Sequence, residues 1–178
     1  MKARGRHSEV YLIGRYAIKV FKRQYLYNFK KEVKFLQLLQ PFNFVPRLYA
    51  IDESELKIAM ERIDGINISK ILKNCSNVRE VVIKCLDICF LLDNLKIQKE
   101  EMSRPDKHIL LKGHKVYFID FERSRFSSKP SNVTQFIVYL TKKGFIDFRA
   151  IKNLLLDYKK YYDFYEFKKV KKFVLDRL

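Results

Sequence analysis

The stretch VYFIDFERSRF, residues 116–126, is the part of the sequence on which the interpretation of the fold depends most. Its apolar side chains run without interruption to Ile119, which is typical of a buried strand. Asp120 comes next, followed by Phe121, Glu122 and two arginines. A carboxylate in this position is either the polar residue that ends a strand or a ligand for a cation. The stretch alone is compatible with both.

The charge of the chain indicates the kind of partner to expect. The 178 residues include 37 Lys and Arg against 20 Asp and Glu, a formal net charge of +17. This excess favours a polyanionic partner such as RNA, DNA, nucleotide phosphates or an acidic protein, although a lysine-rich solvated surface gives the same count. The hydrophobic content of 48% argues against disorder. The length suits one domain or two small lobes.

The cysteines and the longest apolar stretch predict a cytoplasmic protein with no membrane partner. Cys85 and Cys89 are four residues apart in an apolar helical run, and with Cys75 they make an odd count, so buried thiols are favoured over a disulfide or a zinc site. Charged residues at helical spacing interrupt the apolar run 81–95. An amphipathic helix is therefore expected rather than a membrane span. The basic N-terminus lacks the apolar core of a signal peptide.

The first third of the chain has the pattern of strands around one helix. Residues 9–14 and 15–21 predict a hairpin that turns at Gly14. A helix is predicted over 28–40, with Asn28 as its N-cap. Residues 47–63 then predict two strands joined by an acidic turn at 52–55.

Beyond Gly65 the periodicity is mostly helical. Helices are predicted over 78–95, 133–140, 148–161 and 166–178, with Asn132 and Asp147 as the caps of the second and third. A hairpin turning at 112–114 interrupts them. The expected class is α+β, with a strand-rich N-terminal lobe at 1–63 and a helical C-terminal lobe at 64–178 that carries the hairpin.

Two charged residues in the N-terminal lobe are candidates for phosphate chemistry. Lys19 lies within the apolar strand YAIKVF, and Glu32 is the only carboxylate of the helix that follows. An exposed strand lysine and a solvated helix face are the ordinary interpretations of each residue alone. The functional interpretation is a lysine aimed at phosphates and held by an ion pair with Glu32. Near the N-terminus, Gly5 and Ser8 fit either a phosphate-covering turn or a frayed basic terminus.

The polar residues around the second hairpin are the remaining candidates. Glu101, Asp106 and His108 precede its first strand, and Asp120 follows its second. Side chains that flank a tight hairpin converge at its open end, and carboxylate oxygens are the ligands that Mg²⁺ prefers.

In this order, these residues resemble the protein-kinase-like fold. AIK at 17–19 is similar to the strand lysine motif, KKEVKFL at 30–36 to the helix that supplies its glutamate, and FIDFE at 118–122 to the metal-binding D-F-G. The nearest relatives by pattern are small atypical kinases: the RIO type, the kinase subunit of the tRNA threonylcarbamoylation machinery, and predicted archaeal Ser/Thr kinases. The resemblance covers essentially the whole chain.

The resemblance implies a two-lobe fold, the cofactors ATP and Mg²⁺, and a set of site residues. Met60 would be the gatekeeper, and the backbone of Glu61 to Ile63 would face adenine. Asp120 would hold Mg²⁺, with His108 in the position of the second metal ligand. The implied ATP-binding residues are Gly5, Ser8, Val10, Ala17, Lys19, Glu32, Met60, Glu61 and Ile63.

The departures from the family pattern leave the catalytic residue open. Glu122 replaces the glycine after Asp120-Phe121, no H-R-D is present, and imidazole is a poor Mg²⁺ ligand. Depending on the alignment, Glu101, Ser103 or Asp106 takes the catalytic position. Glu101 is preferred, because a carboxylate accepts a hydroxyl proton.

Three functions follow as hypotheses. The first is an atypical ATP-dependent kinase, of the Ser/Thr type, or an ATPase, acting on an unidentified protein or RNA-associated substrate. The second is an ATP-binding pseudokinase that serves as a scaffold. The third is a basic module that contacts RNA or a ribonucleoprotein. In this hypothesis the tyrosines of residues 154–173 stack on bases and the lysines contact phosphates. The ordinary alternative for this segment is an amphipathic helix pair with the aromatic residues in the core.

Overall fold

The computed structural model describes residues 2–74 and 77–178, with side chains from residue 5 onward. Cys75 lies outside the described residues. Within these ranges the chain forms ten strands and six α-helices. In chain order they are β1 (Lys2–Arg4), β2 (Ser8–Ile13), β3 (Tyr16–Phe21), α1 (Leu26–Leu39), β4 (Leu48–Asp52), β5 (Lys57–Glu61), β6 (Ile66–Asn67), α2 (Ile68–Asn74), α3 (Val78–Asn94), β7 (Ile97–Gln98), β8 (Ile109–Lys112), β9 (Lys115–Phe118), β10 (Arg125–Phe126), α4 (Asn132–Lys142), α5 (Phe148–Tyr161) and α6 (Phe164–Leu175).

The chain divides into two compact units. Unit 1 contains residues up to 66 together with 108–124, and unit 2 contains 67–107 together with 125–178. The sheets are antiparallel, so the chain is a mixed α and β protein as the sequence predicts. The second hairpin lies in unit 1, whereas the sequence assigns it to the helical lobe.

The sheet of unit 1 has the order β1-β2-β3-β5-β4, with β3 in the middle. Along β3 the buried positions are Ala17, Lys19 and Phe21, and the residues between them are half-buried. Because side chains alternate between the two faces of a strand, Lys19 shares the buried face with two apolar neighbours. The interpretation of Lys19 as an exposed edge-strand residue is therefore wrong.

The hairpin of β8 and β9 confirms the predicted turn. Ile109 pairs with Phe118, and Gly113 has a φ of +59°, a conformation that glycine adopts without a steric penalty. The Ile119 N–H donates to the carbonyl of His108 at 2.9 Å, which extends the pairing by one step past the strand ends. His108 and Asp120 therefore lie side by side at the open end of the hairpin.

Unit 2 is helical, and its core is apolar and aromatic. Phe90 of α3 stacks on Phe167 of α6, with ring centroids 4.2 Å apart. Cys85 and Cys89 are buried free thiols, as predicted, and burial raises the pKa of both. Among the described residues, no helix is both long and apolar enough to span a membrane.

A buried carboxylate, Asp93, holds the helices of unit 2 together. It is 1% exposed at the end of α3 and accepts hydrogen bonds from the backbone N–H groups of Asn132 and Val133, from the Asn132 amide and from the Tyr158 hydroxyl. Burial raises the Asp93 pKa, and the hydrogen bonds oppose this rise only in part. Asp93 thereby accepts from backbone N–H groups that have no partner within the first turn of α4. Through Tyr158 it also links α3 to α5.

Several predicted helix starts and caps are wrong, and a specific turn or hydrogen bond explains each difference. α1 begins at Leu26, so Asn28 lies inside it and caps nothing; a 3₁₀ turn over Arg23–Tyr25 leads into the helix. Asn132 is the first residue of α4 and binds Asp93 instead of capping. α6 begins at Phe164 because Asp163 accepts from the Glu166 N–H. Asp147 caps α5 as predicted.

The sequence patterns miss the short elements. β1, β6, β7, β10 and α2 have two to seven residues each, which is too few for a periodic pattern to be recognised.

We expect Asp93→Ala to lower the free energy of unfolding by about 2–4 kcal/mol, because it leaves several buried donors without an acceptor. Chemical denaturation monitored by circular dichroism measures this loss. The matched control is Asp87→Ala on the same helix, where Asp87 forms an exposed ion pair with Lys171 at 2.6 Å. That control should change stability by less than about 1 kcal/mol. Equal losses for the two variants would contradict a structural role for the Asp93 network.

Candidate functional site

The candidate site is a cluster of charged side chains around Lys19 in unit 1. The Lys19 Nζ lies 2.7 Å from Asp120 Oδ1, 3.0 Å from Glu122 Oε2 and 3.7 Å from Glu32 Oε2. Lys19 is 5% exposed and Glu32 is 1% exposed. One strand, one helix and the segment after one hairpin thus each bring a charge to the same point.

Attraction to the three carboxylates together changes the Lys19 pKa more than burial does. Burial acts to lower the pKa of the ammonium, but the charges of Glu32, Asp120 and Glu122 together raise it above its ordinary value. Lys19 therefore stays charged at physiological pH. One lysine therefore faces three carboxylates.

Asp120 has a backbone conformation that is uncommon for a residue with a side chain. Its φ is +66°, in the left-handed region, and it directly follows the strand pairing of β9. Such conformations cost free energy and persist where the surrounding structure enforces them, often at functional sites. Here the conformation places Oδ1 against Lys19 and Oδ2 3.5 Å from His108 Nδ1.

Glu122 connects the N-terminal turn to the cluster. Its Oε1 lies 2.5 Å from His7 Nδ1, and its carbonyl accepts from the Asn28 amide at 3.3 Å. His7 belongs to a turn closed by a hydrogen bond of 2.9 Å from the Gly5 N–H to the Ser8 carbonyl, and its ring lies 4.4 Å from that of Tyr25. Gly5 and Ser8 thus close a turn, and a role of this turn in covering phosphates stays a prediction.

The other residues assigned to ATP binding lie on the central strands of the same sheet. Val10 of β2 pairs with Lys19, and Ala17 of β3 pairs with Met60 of β5. Ala17 and Met60 are both 8% exposed.

The backbone assigned to adenine is partly engaged within the protein. The Glu61 N–H donates to the Arg47 carbonyl at 2.7 Å, and the Arg62 N–H donates to the Arg15 carbonyl at 2.9 Å. These two N–H groups already have acceptors within the protein.

The three candidates for the catalytic position lie in unit 2 and have different surroundings. Glu101 is in a 3₁₀ turn, Glu100–Ser103, and its Oε2 lies 3.1 Å from the Nζ of Lys99. Ser103 ends that turn and is half-buried. Asp106 accepts from the Tyr139 hydroxyl of α4 at 2.9 Å and pairs at 3.0 Å with Lys143, the residue that follows α4.

The pKa of Asp106 supports a structural role for it. Partial burial acts to raise this pKa, but the bonds from Lys143 and Tyr139 outweigh burial and lower it. A carboxylate with a lowered pKa is a weaker base, so Asp106 is poorly suited to accept a proton.

Lys99 is a residue that the sequence patterns did not identify. It is 0% exposed although it is charged, and its backbone N–H donates to the Asn132 amide oxygen at 2.9 Å. Asn132 in turn binds Asp93, so the Asp93 network continues through Lys99 to Glu101. A lysine beside two glutamates is usually a surface residue, so no signal in the sequence pointed to its burial.

The donors around Asp120 are suited to a hard cation bound together with phosphates. Asp120 and Glu122 supply carboxylate oxygens, which Mg²⁺ prefers, and Mg²⁺ is usually held by one or two carboxylates plus substrate phosphates. Within residues 2–74 and 77–178 there is no group of three or more His, Cys, Asp or Glu residues arranged to hold a metal ion. His108 is adjacent to Asp120, but its imidazole does not favour Mg²⁺.

Comparison with known proteins gives no family assignment. No model of a protein family and no curated protein matches the sequence. The function therefore has to be argued from the residues themselves.

The energetic coupling between Lys19 and Glu32 is testable by a double-mutant cycle with Lys19→Met and Glu32→Gln. We expect a coupling free energy of about 1–3 kcal/mol, because both side chains are buried in one network. The matched control is the cycle for Arg23 and Glu55, which are 3.8 Å apart but largely exposed. That cycle should give less than about 0.5 kcal/mol. Equal coupling in the two cycles would mean that burial adds nothing to the Lys19 pair.

Proposed function

We propose that this chain is an atypical ATP-dependent kinase that transfers the γ-phosphate of Mg-ATP to a hydroxyl group. The observation that carries the proposal is the buried Lys19, held between Glu32 of α1 and Asp120 after β9. We infer that the two units are the lobes of a kinase-like fold, with residues 2–66 supplying the nucleotide-binding strands. An acceptor of the Ser/Thr type agrees with the resemblance in the sequence.

In the proposed reaction, the residues of unit 1 act by position and charge. Lys19 binds the phosphates of ATP through its ammonium, and Glu32 keeps that ammonium oriented when phosphates replace Asp120 as its partner. Asp120, with Glu122 beside it, would hold Mg²⁺, which would supply positive charge next to the phosphates. Phosphoryl transfer depends mainly on positioning and electrostatic stabilisation, so a small site is sufficient.

Glu101 is the proposed acceptor of the hydroxyl proton. It lies in unit 2 next to the buried ammonium of Lys99, which fixes the carboxylate in one orientation. Asp106 is assigned no chemical step, because Tyr139 and Lys143 already bind its Oδ1.

One observation favours a second candidate function, an ATP-binding pseudokinase. Every carboxylate oxygen of Asp120 and Glu122 lies within 3.5 Å of a basic nitrogen of Lys19, His108 or His7. A cation would have to compete with these contacts. If it fails to do so, ATP binding without transfer results, and the fold serves as a scaffold.

Binding and turnover together test the proposal. At a hundredfold excess over Kd, Mg-ATP should stabilise the folded chain by about 2.7 kcal/mol and raise Tm by roughly 5–10 °C. Release or transfer of labelled γ-phosphate should fall about a hundredfold or more in Lys19→Ala and in Asp120→Ala. The control is Lys57→Ala, which removes a more exposed lysine from the neighbouring strand β5.

The outcomes separate the two functions. Wild-type turnover in Asp120→Ala would show that the assigned roles are wrong. A rise in Tm that depends on Lys19, without measurable turnover in the wild type, would establish the pseudokinase instead. No effect of Mg-ATP on Tm would exclude both.

The assignment of the proton acceptor has its own test. Glu101→Gln should lower turnover about 10²- to 10⁴-fold while the Tm rise with Mg-ATP persists, because the amide keeps the shape but is not a base. Asp106→Asn should keep turnover and lose roughly 1 kcal/mol of stability. The reverse pattern, with turnover lost only in Asp106→Asn, would assign the proton to Asp106.

A further inference from the structure

The connection between α5 and α6 exposes aromatic side chains to solvent. Tyr161 is 55% exposed, Phe164 58% and Tyr165 67%, whereas Tyr158 and Phe167 of the same helices are at most 1% exposed. The aromatic residues of this helix pair are thus divided between the core and the surface. The interpretation of these helices as an amphipathic pair with the aromatic residues inside holds for Tyr158 and Phe167 but not for the three exposed rings.

Each exposed ring is accompanied by a lysine. The Nζ of Lys160 lies 4.9 Å from the ring centroid of Tyr161, that of Lys168 lies 4.9 Å from Phe164, and that of Lys169 lies 4.2 Å from Tyr165. These three rings and three lysines are called the α5–α6 aromatic surface. Lys169 also pairs with Glu166 at 2.8 Å, so Lys160 and Lys168 contribute most of its positive charge.

The surrounding segment is basic as well. Residues 148–178 contain nine Lys and Arg against four Asp and Glu. Lys152, Lys159 and Lys172 are exposed in addition to Lys160 and Lys168. Phe164, Lys168 and Lys172 follow one another at intervals of four, which places them on one face of α6.

We propose that the α5–α6 aromatic surface binds single-stranded nucleic acid. Unpaired bases stack on the rings of Tyr161, Phe164 and Tyr165, and the flanking lysines neutralise the phosphates between them. Aromatic rings alternating with cations are the combination that single strands require, because every base has a stacking face and every linkage a negative charge. A duplex offers phosphates but hides the faces of its bases. An acidic protein would use the lysines and leave the exposed rings unexplained.

This binding is independent of ATP, so its test does not depend on the proposed kinase activity. The probe is a fluorescein-labelled twelve-nucleotide oligouridine, titrated with the full chain and followed by fluorescence anisotropy. Single replacements Tyr161→Ala and Tyr165→Ala should each weaken binding about 5- to 100-fold, because stacking contributes about 1–3 kcal/mol per base. Both side chains are mostly exposed, so Tm should stay within about 2 °C of the wild type.

The chain offers a matched control in Tyr27→Ala. Tyr27 is 70% exposed and has the Nζ of Lys31 4.5 Å from its ring centroid, but it lies on α1 in unit 1. Its replacement should leave oligouridine binding unchanged. Lys160→Gln with Lys168→Gln should reduce the slope of log K against log salt concentration by about 1.4, since each phosphate contact on a single strand contributes about 0.7.

Three results would overturn the proposal. In the first, the tyrosine variants bind the probe as tightly as the wild type. In the second, an RNA duplex of equal charge binds as tightly as the single strand, which would reduce the interaction to general electrostatics. In the third, the tyrosine variants lose binding to vesicles of phosphatidylcholine and phosphatidylserine but not to RNA, which would make the surface a membrane contact.

Discussion

The buried ammonium of Lys19 is the constraint on which unit 1 depends. A lysine that is 5% exposed on the middle strand of a sheet must have compensating charge, and it obtains that charge from Asp120, 101 residues away, and from Glu32 on α1. The ion pairs therefore join the central strand, its neighbouring helix and the second hairpin. Replacing a buried ion pair by apolar residues of the same volume is often neutral or stabilising, so fold stability alone does not explain four buried or half-buried charges at one point. The proposed binding of phosphates by Lys19 would explain them.

The Asp93 network shows why burial of a charged group is not by itself evidence for a ligand site. Asp93 is as deeply buried as Glu32, yet the donors that bind it are neutral: two backbone N–H groups, one amide and one hydroxyl. These bonds complete the start of α4 and fix Tyr158 of α5, which are structural tasks. Lys19, by contrast, attracts three carboxylates and lies next to a residue with positive φ. The difference in partners separates a structural charge from a candidate functional one.

The elements that the sequence predicts well are those encoded by neighbouring residues. The hairpin turns at Gly14 and Gly113, the helix over 148–161 and its Asp147 cap follow from local periodicity and turn chemistry. The order of Lys19, Glu32 and Asp120 likewise suggested their meeting, because the resemblance supplied the long-range relation. The resemblance gives no partner for His7. Its contact with Glu122 spans 115 residues, and no local sequence pattern encodes it. Asn132 failed as a cap for the same reason, since its partner Asp93 is 39 residues away and competes with the helix end for the side chain.

The net charge of +17 describes the chain as a whole but not the candidate site. Around Lys19 one ammonium faces three carboxylates, and two of these carboxylates also lie beside the imidazoles of His7 and His108. Under the proposed function, a nucleotide would reach this cluster as its magnesium complex, in which the metal has already neutralised part of the phosphate charge. The excess lysines lie on surfaces such as the end of α5 and the start of α6, where exposed rings accompany them. Under the two proposals, these features would bind different ligands: a metal-bound nucleotide at Lys19, and an uncomplexed polyanion with exposed bases at the α5–α6 aromatic surface.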